Sequence, residues 1–329
     1  MRFDMYAFAD YSGSQSAAEQ RKRIVLAQFE HRTGEFIVTK GLSRLELWVK
    51  IVDMLHNATA RGQRMLFGFD HSYSFPLGFY KAMSGQEWAS WPHLLNLLAE
   101  PQGVLPALGE DWSKRQLQQA RARFAQHTYA RDALDWMIPR FEGSLPAREW
   151  AKRVNERFGN GGPFWGANWP VQMNKPKHMY GPRLPELRLV EQACQTWQHK
   201  NMKSIYQLGG VGSVGLQSLY GMRYLRELIV YCQSHAIPLT AWPFDGFSAK
   251  EQGHVLTEVY PTLYNNGVRS DEEDAKSCVS WFLEQDQRGG LVWEPPQFLS
   301  KKETQRATLE GWVHGIAPHA DSNQIKNLN

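Results

Sequence analysis

Five carboxylates stand where short apolar runs end or where a helix begins, and their residue types could carry chemistry. Asp10 closes the run from Phe3 to Ala9, and Asp70 closes the run MLFGF. Asp271 and Asp274 lie three apart in DEEDAKSC, which places them on one helix face with roughly 5 to 6 Å between Cβ atoms. Glu258 sits just upstream, in LTEVYP. Like charges gathered together repel, and a hard divalent cation, Mg2+ or Mn2+, is the natural neutraliser because it takes carboxylate oxygens. Two such ions about 3.5 to 4 Å apart can hold the attacking and leaving oxygens of a phosphodiester displacement. That chemistry needs neither cysteine nor histidine.

The elements that must position these residues follow from hydrophobic spacing. Phe3 to Ala9, Arg23 to Phe29 and Glu35 to Thr39 read as a three-strand meander, with YSGS and His31 to Gly34 as turns. Leu45, Trp48, Val49, Val52 and Leu55 then recur at helical spacing, with Ser43 and Glu46 placed as a capping box and the helix running to about His56. Arg64 to Phe69 is a fourth strand. Reached through a helix crossover, it lies parallel to a meander strand, with a right-handed connection. If that neighbour is the first strand, Asp10 and Asp70 meet at one sheet edge, about 4.8 Å apart strand to strand.

Further along, Ile237 to Phe244 and Val255 to Tyr260 read as strands, with Leu256, Glu258 and Tyr260 sharing a face. Ser270 caps a last helix whose apolar stripe is Ala275, Cys278, Val279 and Phe282. The expected fold class is α/β: a mixed sheet, made of the antiparallel meander plus parallel strands, flanked by helices. Residues 1–80 and 236–317 form the core, 81–235 a large, mainly helical insertion, and 318–329 a polar tail. Basic stretches within the insertion, Lys114 to Arg123 and Lys200 to Lys203, read first as solvated helix faces.

Composition removes several classes. The chain has 329 residues, 42% hydrophobic, and a formal charge of +4, which permits an anionic partner without demanding one. Its three cysteines are far apart and outside any C-x-x-C, so neither a disulfide framework nor a zinc site is indicated. The opening MRFDMYAFAD lacks the apolar run of a signal peptide, and no stretch has the roughly 18 apolar residues of a membrane span. A cytoplasmic location and no membrane partner are the expectations. No H-E-x-x-H occurs, and Ser213 in VGSVG lacks the first glycine of G-x-S-x-G. His71 beside Asp70 and His254 near Glu258 read as packed or solvent-facing side chains, with assistance to a metal site as the alternative. Trp165 and Trp169 in GGPFWGANWP either pack beneath a long loop or stack on bases.

Gly210, Gly212 and Gly215 have the spacing G-x-G-x-x-G and precede a helical stretch. A dinucleotide-binding oxidoreductase would use Ile205 to Leu208 as a strand and Asp245 to grip a ribose. Asp245, however, follows Gly215 by 30 positions, against roughly 20 in the fingerprint. The alternative is a tight loop at a helix N-terminus facing the carboxylates, where Gly210, Gly212, Ser213 and Lys203 would hold a nucleic-acid phosphate.

The segments ADYSGS, GFDHSYSFP, LTEVYP and DEEDAKSC, in that order, resemble the signature segments of the predicted RNase H-like nucleases, within the RNase H and RuvC resolvase superfamily. KSIYQLGGVGSVGLQSLYGM, GPFWG and LEGWVHG resemble further segments of that family, while much of 85–155 does not. The resemblance implies an RNase H-like fold and a nuclease acting on DNA or RNA. It also implies metal-binding roles for Asp10, Asp70, Asp274 and Asp271, with Glu258 as ligand, orienting group or partner of a basic residue. Asp70 departs from the glutamate usual in RuvC-type enzymes, a shorter arm. A nucleic-acid-binding module without catalysis is the alternative within the same fold.

Overall fold

The computed structural model describes residues 3–103, 105–159, 161–167, 172–248, 252–265, 267 and 270–317. In chain order the elements are β1 (Met5–Asp10), α1 (Ala17–Arg23), β2 (Val25–Glu30), β3 (Glu35–Lys40), α2 (Arg44–Ala60), β4 (Met65–Phe69), α3 (Phe79–Ser84), α4 (Trp91–Ala99), α5 (Lys114–Arg123), α6 (Ala130–Phe141), α7 (Ala147–Phe158), α8 (Leu189–Gln198), α9 (Gly215–Ser234), β5 (Leu239–Trp242), β6 (His254–Glu258), α10 (Asp271–Gln287) and α11 (Lys301–Glu310). A single 3-10 turn, Pro261–Leu263, follows β6.

The strands form one mixed sheet of six in the order β3-β2-β1-β4-β6-β5. The meander β1-β2-β3 is antiparallel, and β4, β6 and β5 continue it parallel to β1. Period-two alternation sends Met5, Ala7 and Ala9 into one hydrophobic cluster with α2 and α9, and Tyr6 and Phe8 into a second with α8, α10 and α11. Both faces are therefore covered, which is why the central strand β4 is a continuous buried run, MLFGF, instead of an alternating one. Its glycine is required. A Cβ on Gly68 would lie 2.0 Å from the Thr257 carbonyl oxygen on β6, so a side chain there would force the two strands apart.

Ser43 and Glu46 do form the capping box that starts α2, and the helix runs four residues beyond His56 to Ala60. Ser270 caps α10, its hydroxyl accepting from the Glu273 N–H at 3.1 Å. Two helices escaped the sequence reading. The polar α1 buries Gln20 alone and so has no apolar stripe to reveal it. The polar α11 carries one legible mark, the capping box of Ser300 and Glu303.

Residues 81–235 are largely helical among those described, from α3 to α9. They do not build a core apart from the sheet. Leu94, Met137, Trp150 and Leu225 belong to the same cluster as Ala7 of β1 and Phe67 of β4. Two buried ion pairs cross this boundary: Arg44 at the start of α2 with Glu110, and Arg188 ahead of α8 with Glu258 on β6. The 318–329 tail lies outside the described residues.

Candidate functional site

β1 and β4 are parallel neighbours with Ala9 opposite Phe69, and the Asp70 N–H donates to the Ala9 carbonyl at 3.3 Å. Asp10 and Asp70 thus leave adjacent strands at the same level. Both belong to the alternation that carries Phe8 and Leu66 toward α10, so their carboxyls emerge on the α10 side of the sheet. There α10 packs along β1 and β2, with Phe8 and Phe282 stacked at 4.6 Å between ring centroids. The apolar stripe Ala275, Cys278, Val279, Phe282 continues toward the helix start as Asp274 and Asp271. Its packing on the sheet brings those two aspartates to the strand ends.

The electrostatics record the convergence. Burial and then Asp70, with further repulsion from Asp271 and Asp274, push the Asp10 carboxyl far above the usual aspartate range. Asp70 is also raised by burial, but less, because Asp10 hydrogen-bonds to it and its Oδ1 accepts from the Tyr11 N–H at 2.6 Å. Asp10 and Asp70 together retain a proton where isolated aspartates would not. Asp274 accepts from the Asn265 amide, and Cys278, one turn on, has its thiol raised by burial and by Asp70, Asp274 and Asp10. Carboxylates from the end of β4 and from α10 therefore act on Asp10 of β1, and Asp274 acts on Asp70 as well. The donor set suits a hard divalent cation, being all oxygen and strongly anionic. Among the described residues, no three His, Cys, Asp or Glu side chains are already grouped at metal-holding spacing.

Glu258 is not brought into this group. It pairs with Phe69 in the β4–β6 register, so its side chain leaves the face opposite Asp70. Two hydrogen bonds from Arg188, at 2.6 and 2.8 Å, and one from the Tyr73 N–H at 3.0 Å occupy it. Of the three roles the sequence allowed, the structure has it paired with a basic residue. His71 and His254 are buried and held neutral, pushed down to about 3 and about 4 by burial. His254 accepts from the Met65 N–H at 3.1 Å and meets the Thr59 hydroxyl at 2.9 Å, which makes it a packing residue between β4, α2 and β6.

Beside the carboxylates opens a cleft of ≈ 560 Å³. Asp10 and Asp271 line it, together with the loop Tyr11 to Gln15, and Leu208, Gly209, Ser213, Leu216 and Gln217 form the side contributed by the glycine segment. Of the proposed phosphate residues, Ser213 reaches the cleft. Gly210 and Gly212, at φ +96° and +70°, make the turn, and Lys203 lies alongside Gly212; none of these three lines the cleft. The third glycine serves packing: a Cβ on Gly215 would fall 2.5 Å from the carbonyl oxygens of Ile205 and Gln207.

The dinucleotide geometry is missing. Ile205 to Leu208 is not a strand of the sheet, contributing one isolated bridge between Gln207 and Trp165. Asp245 closes its own turn by accepting from the Ala241 N–H at 2.7 Å. Trp165 packs half-buried against the main core, and Trp169 lies outside the described residues. The sequence reading passed over Arg23 and Arg148, which also line the cleft. Arg23 was assigned to a strand, and Arg148 lies in a stretch that resembles nothing. No family model, curated protein or solved structure matches the chain.

Proposed function

We propose that this protein is a divalent-metal-dependent nuclease of RNase H-like fold that hydrolyses phosphodiester bonds of DNA or RNA. The observation that carries the reading is the gathering of Asp70, Asp271 and Asp274 around Asp10, with Asp10 and Asp271 lining an open cleft. A fold gathers four carboxylates against their charge at a cost, and a cation is what makes the arrangement favourable. The strand order 3-2-1-4, continued by two parallel strands, supports the fold assignment.

Asp10, Asp70, Asp274 and Asp271 would hold Mg2+ or Mn2+. When bound, such ions activate a water and stabilise the charge on the attacking and leaving oxygens of the phosphodiester. Asp10 and Asp70 must release their shared proton to act as two acceptors, and the Tyr11 N–H fixes one oxygen of Asp70 while they do so. Asp271, which lines the cleft, would reach a bound ion from the helix side. The core side of the cleft carries Asp10, Asp271 and Glu19, with Arg23 as its basic residue. The side contributed by the glycine segment adds the Ser213 hydroxyl and the first turn of α9, which contains no acidic residue. A phosphate would be drawn to that second side.

The test is cleavage of labelled single- and double-stranded DNA and RNA with and without Mg2+ or Mn2+. Metal-dependent cleavage should vanish in Asp10→Asn and Asp274→Asn with folding intact. Cleavage that survives in both variants would sink the assignment. The second reading within the same fold is a nucleic-acid-binding module without catalysis, which would use the cleft and its Ser213 side alone. Oligonucleotide binding that is indifferent to metal, with no cleavage of any substrate, would decide for it.

A further inference from the structure

Buried or half-buried arginines in this protein are generally spoken for. Arg44 pairs with Glu110, Arg188 with Glu191 and Glu258, and Arg223 with Glu227. Arg148, the second residue of α7, differs. It is half-buried and lines the same cleft as Asp10, Asp271 and Glu19, yet among the described residues it has no ion-pair or hydrogen-bond partner. Its Nε, shielded from solvent, is left unsatisfied. Glu19, another carboxylate lining the cleft, is engaged by Lys22 at 2.5 Å.

The local structure keeps this guanidinium on the insertion's side of the cleft. The Ala147 N–H donates to the Tyr220 hydroxyl of α9 at 3.2 Å, anchoring the first turn of α7. The Arg44 guanidinium lies 3.9 Å from the centroid of the same Tyr220 ring and also donates to the Ser12 carbonyl. One short chain of contacts therefore ties the backbone beside Arg148 to the loop after Asp10. The insertion thus contributes a guanidinium to the cleft that Asp10 and Asp271 line, held in register through Tyr220 and Arg44, while Arg23 adds an exposed one from α1.

We propose that Arg148 is the phosphate-holding residue of this cleft, its guanidinium fork binding non-bridging oxygens of a phosphodiester whose scissile bond faces Asp10 and Asp271. The proposal rests on the nuclease reading for the substrate's identity. A guanidinium matches phosphate bidentately and keeps its charge at any working pH, and of its three nitrogens only Nε is shielded from solvent, which leaves the terminal two to an arriving phosphate. Arg148 neutralises charge on the side of the phosphate that the carboxylates cannot serve, since they repel it.

The test uses the full chain with Arg148→Ala, Arg148→Lys and, as a control, Arg153→Ala, whose exposed side chain pairs with Glu156 on the same helix. Three quantities are read: inorganic phosphate affinity by calorimetry without metal, Mn2+ affinity, and kcat and KM for Mn2+-dependent cleavage of a labelled oligonucleotide. For Arg148→Ala we expect phosphate binding weakened at least tenfold and kcat/KM lowered at least tenfold, with Mn2+ affinity and melting temperature near wild type. Arg148→Lys should recover part of the loss, because a point charge replaces the charge but not the fork. Wild-type phosphate affinity and kcat/KM in Arg148→Ala would overturn the proposal and leave the nuclease reading standing. Arg148-dependent phosphate binding in a protein that cleaves nothing would support the anion site and overturn the nuclease reading. A wild-type protein that neither binds phosphate nor cleaves overturns both.

Discussion

Asp10 and Asp70 carry a stability cost with a definite pH signature. Both carboxyls are raised above the ordinary 3.8, Asp10 by burial and then Asp70, and Asp70 by burial and then Asp274, so above that range the native state holds more protons than the unfolded chain. Stability contributed by this pair is greatest in acid and falls as pH rises through the shifted range. Asp10→Asn replaces a carboxyl that must take up a proton on folding with a neutral amide. Without metal, the variant should be more stable than wild type at about pH 8, by on the order of 1 kcal/mol or more, with the difference shrinking toward about pH 4. Thermal melts across that range check it, and an equal or lower melting temperature at the alkaline end would refute the raised Asp10 carboxyl. Glu258 makes the opposite case. Glu258→Gln removes one charge partner of buried Arg188 while Glu191 remains, so a loss of about 3 kcal/mol is expected. Its Mn2+ affinity should stay at the wild-type value; a large drop without unfolding would return Glu258 to the metal site.

At the scale of elements, the site depends on how closely α9 approaches the turn after β4. Gly221 sits inside that helix, where alanine would ordinarily be favoured by about 1 kcal/mol. Here a Cβ would lie 2.2 Å from Nε2 of His71, which is buried and packed against Tyr11 at 4.8 Å between rings. The Ser72 N–H donates to the Ser218 hydroxyl at 3.0 Å, and the Gln217 amide donates to the Asp70 carbonyl at 2.8 Å, so the same helix turns hold the Asp70 loop. Gly221→Ala should therefore destabilise by about 1 to 3 kcal/mol despite its better helix propensity, and should disturb the site through Asp70. Urea unfolding measures the first effect and Mn2+ titration the second. A stabilised variant would mean that the loop yields freely.

The whole molecule folds around shared interiors. One large cluster joins the sheet, α2 and the helices of residues 81–235, and the pairs Arg44–Glu110 and Arg188–Glu258 cross between the two sequence segments. Removing 81–235 would expose the α2 face of the sheet and strand Arg44 and Glu258 without their partners. A chain lacking that segment should not fold, and the intact chain should unfold in one cooperative step, with tryptophan fluorescence and far-UV circular dichroism coincident in urea. Two separated transitions would show that the insertion folds on its own. Among the described residues no helix is long and apolar enough to cross a membrane.

Local chemistry explains what the sequence by itself determined. Asp10 and Asp70 could be placed at strand ends, and Asp271 and Asp274 on one helix face, because period-two runs, caps and i,i+3 spacing act within a few residues. Ser43 with Glu46 marked the start of α2 for the same reason. The polar helices α1 and α11 lacked the apolar stripe on which such a reading relies. Only the tertiary structure decided that β4 lies beside β1, that the β4–β6 register turns Glu258 away from Asp70, and that Ile205 to Leu208 stays out of the sheet. It alone carries Arg148, from within the insertion, to the cleft beside Asp10. These outcomes are set by packing between residues tens to hundreds of positions apart. No local pattern encodes them, because each depends on which surfaces bury best together.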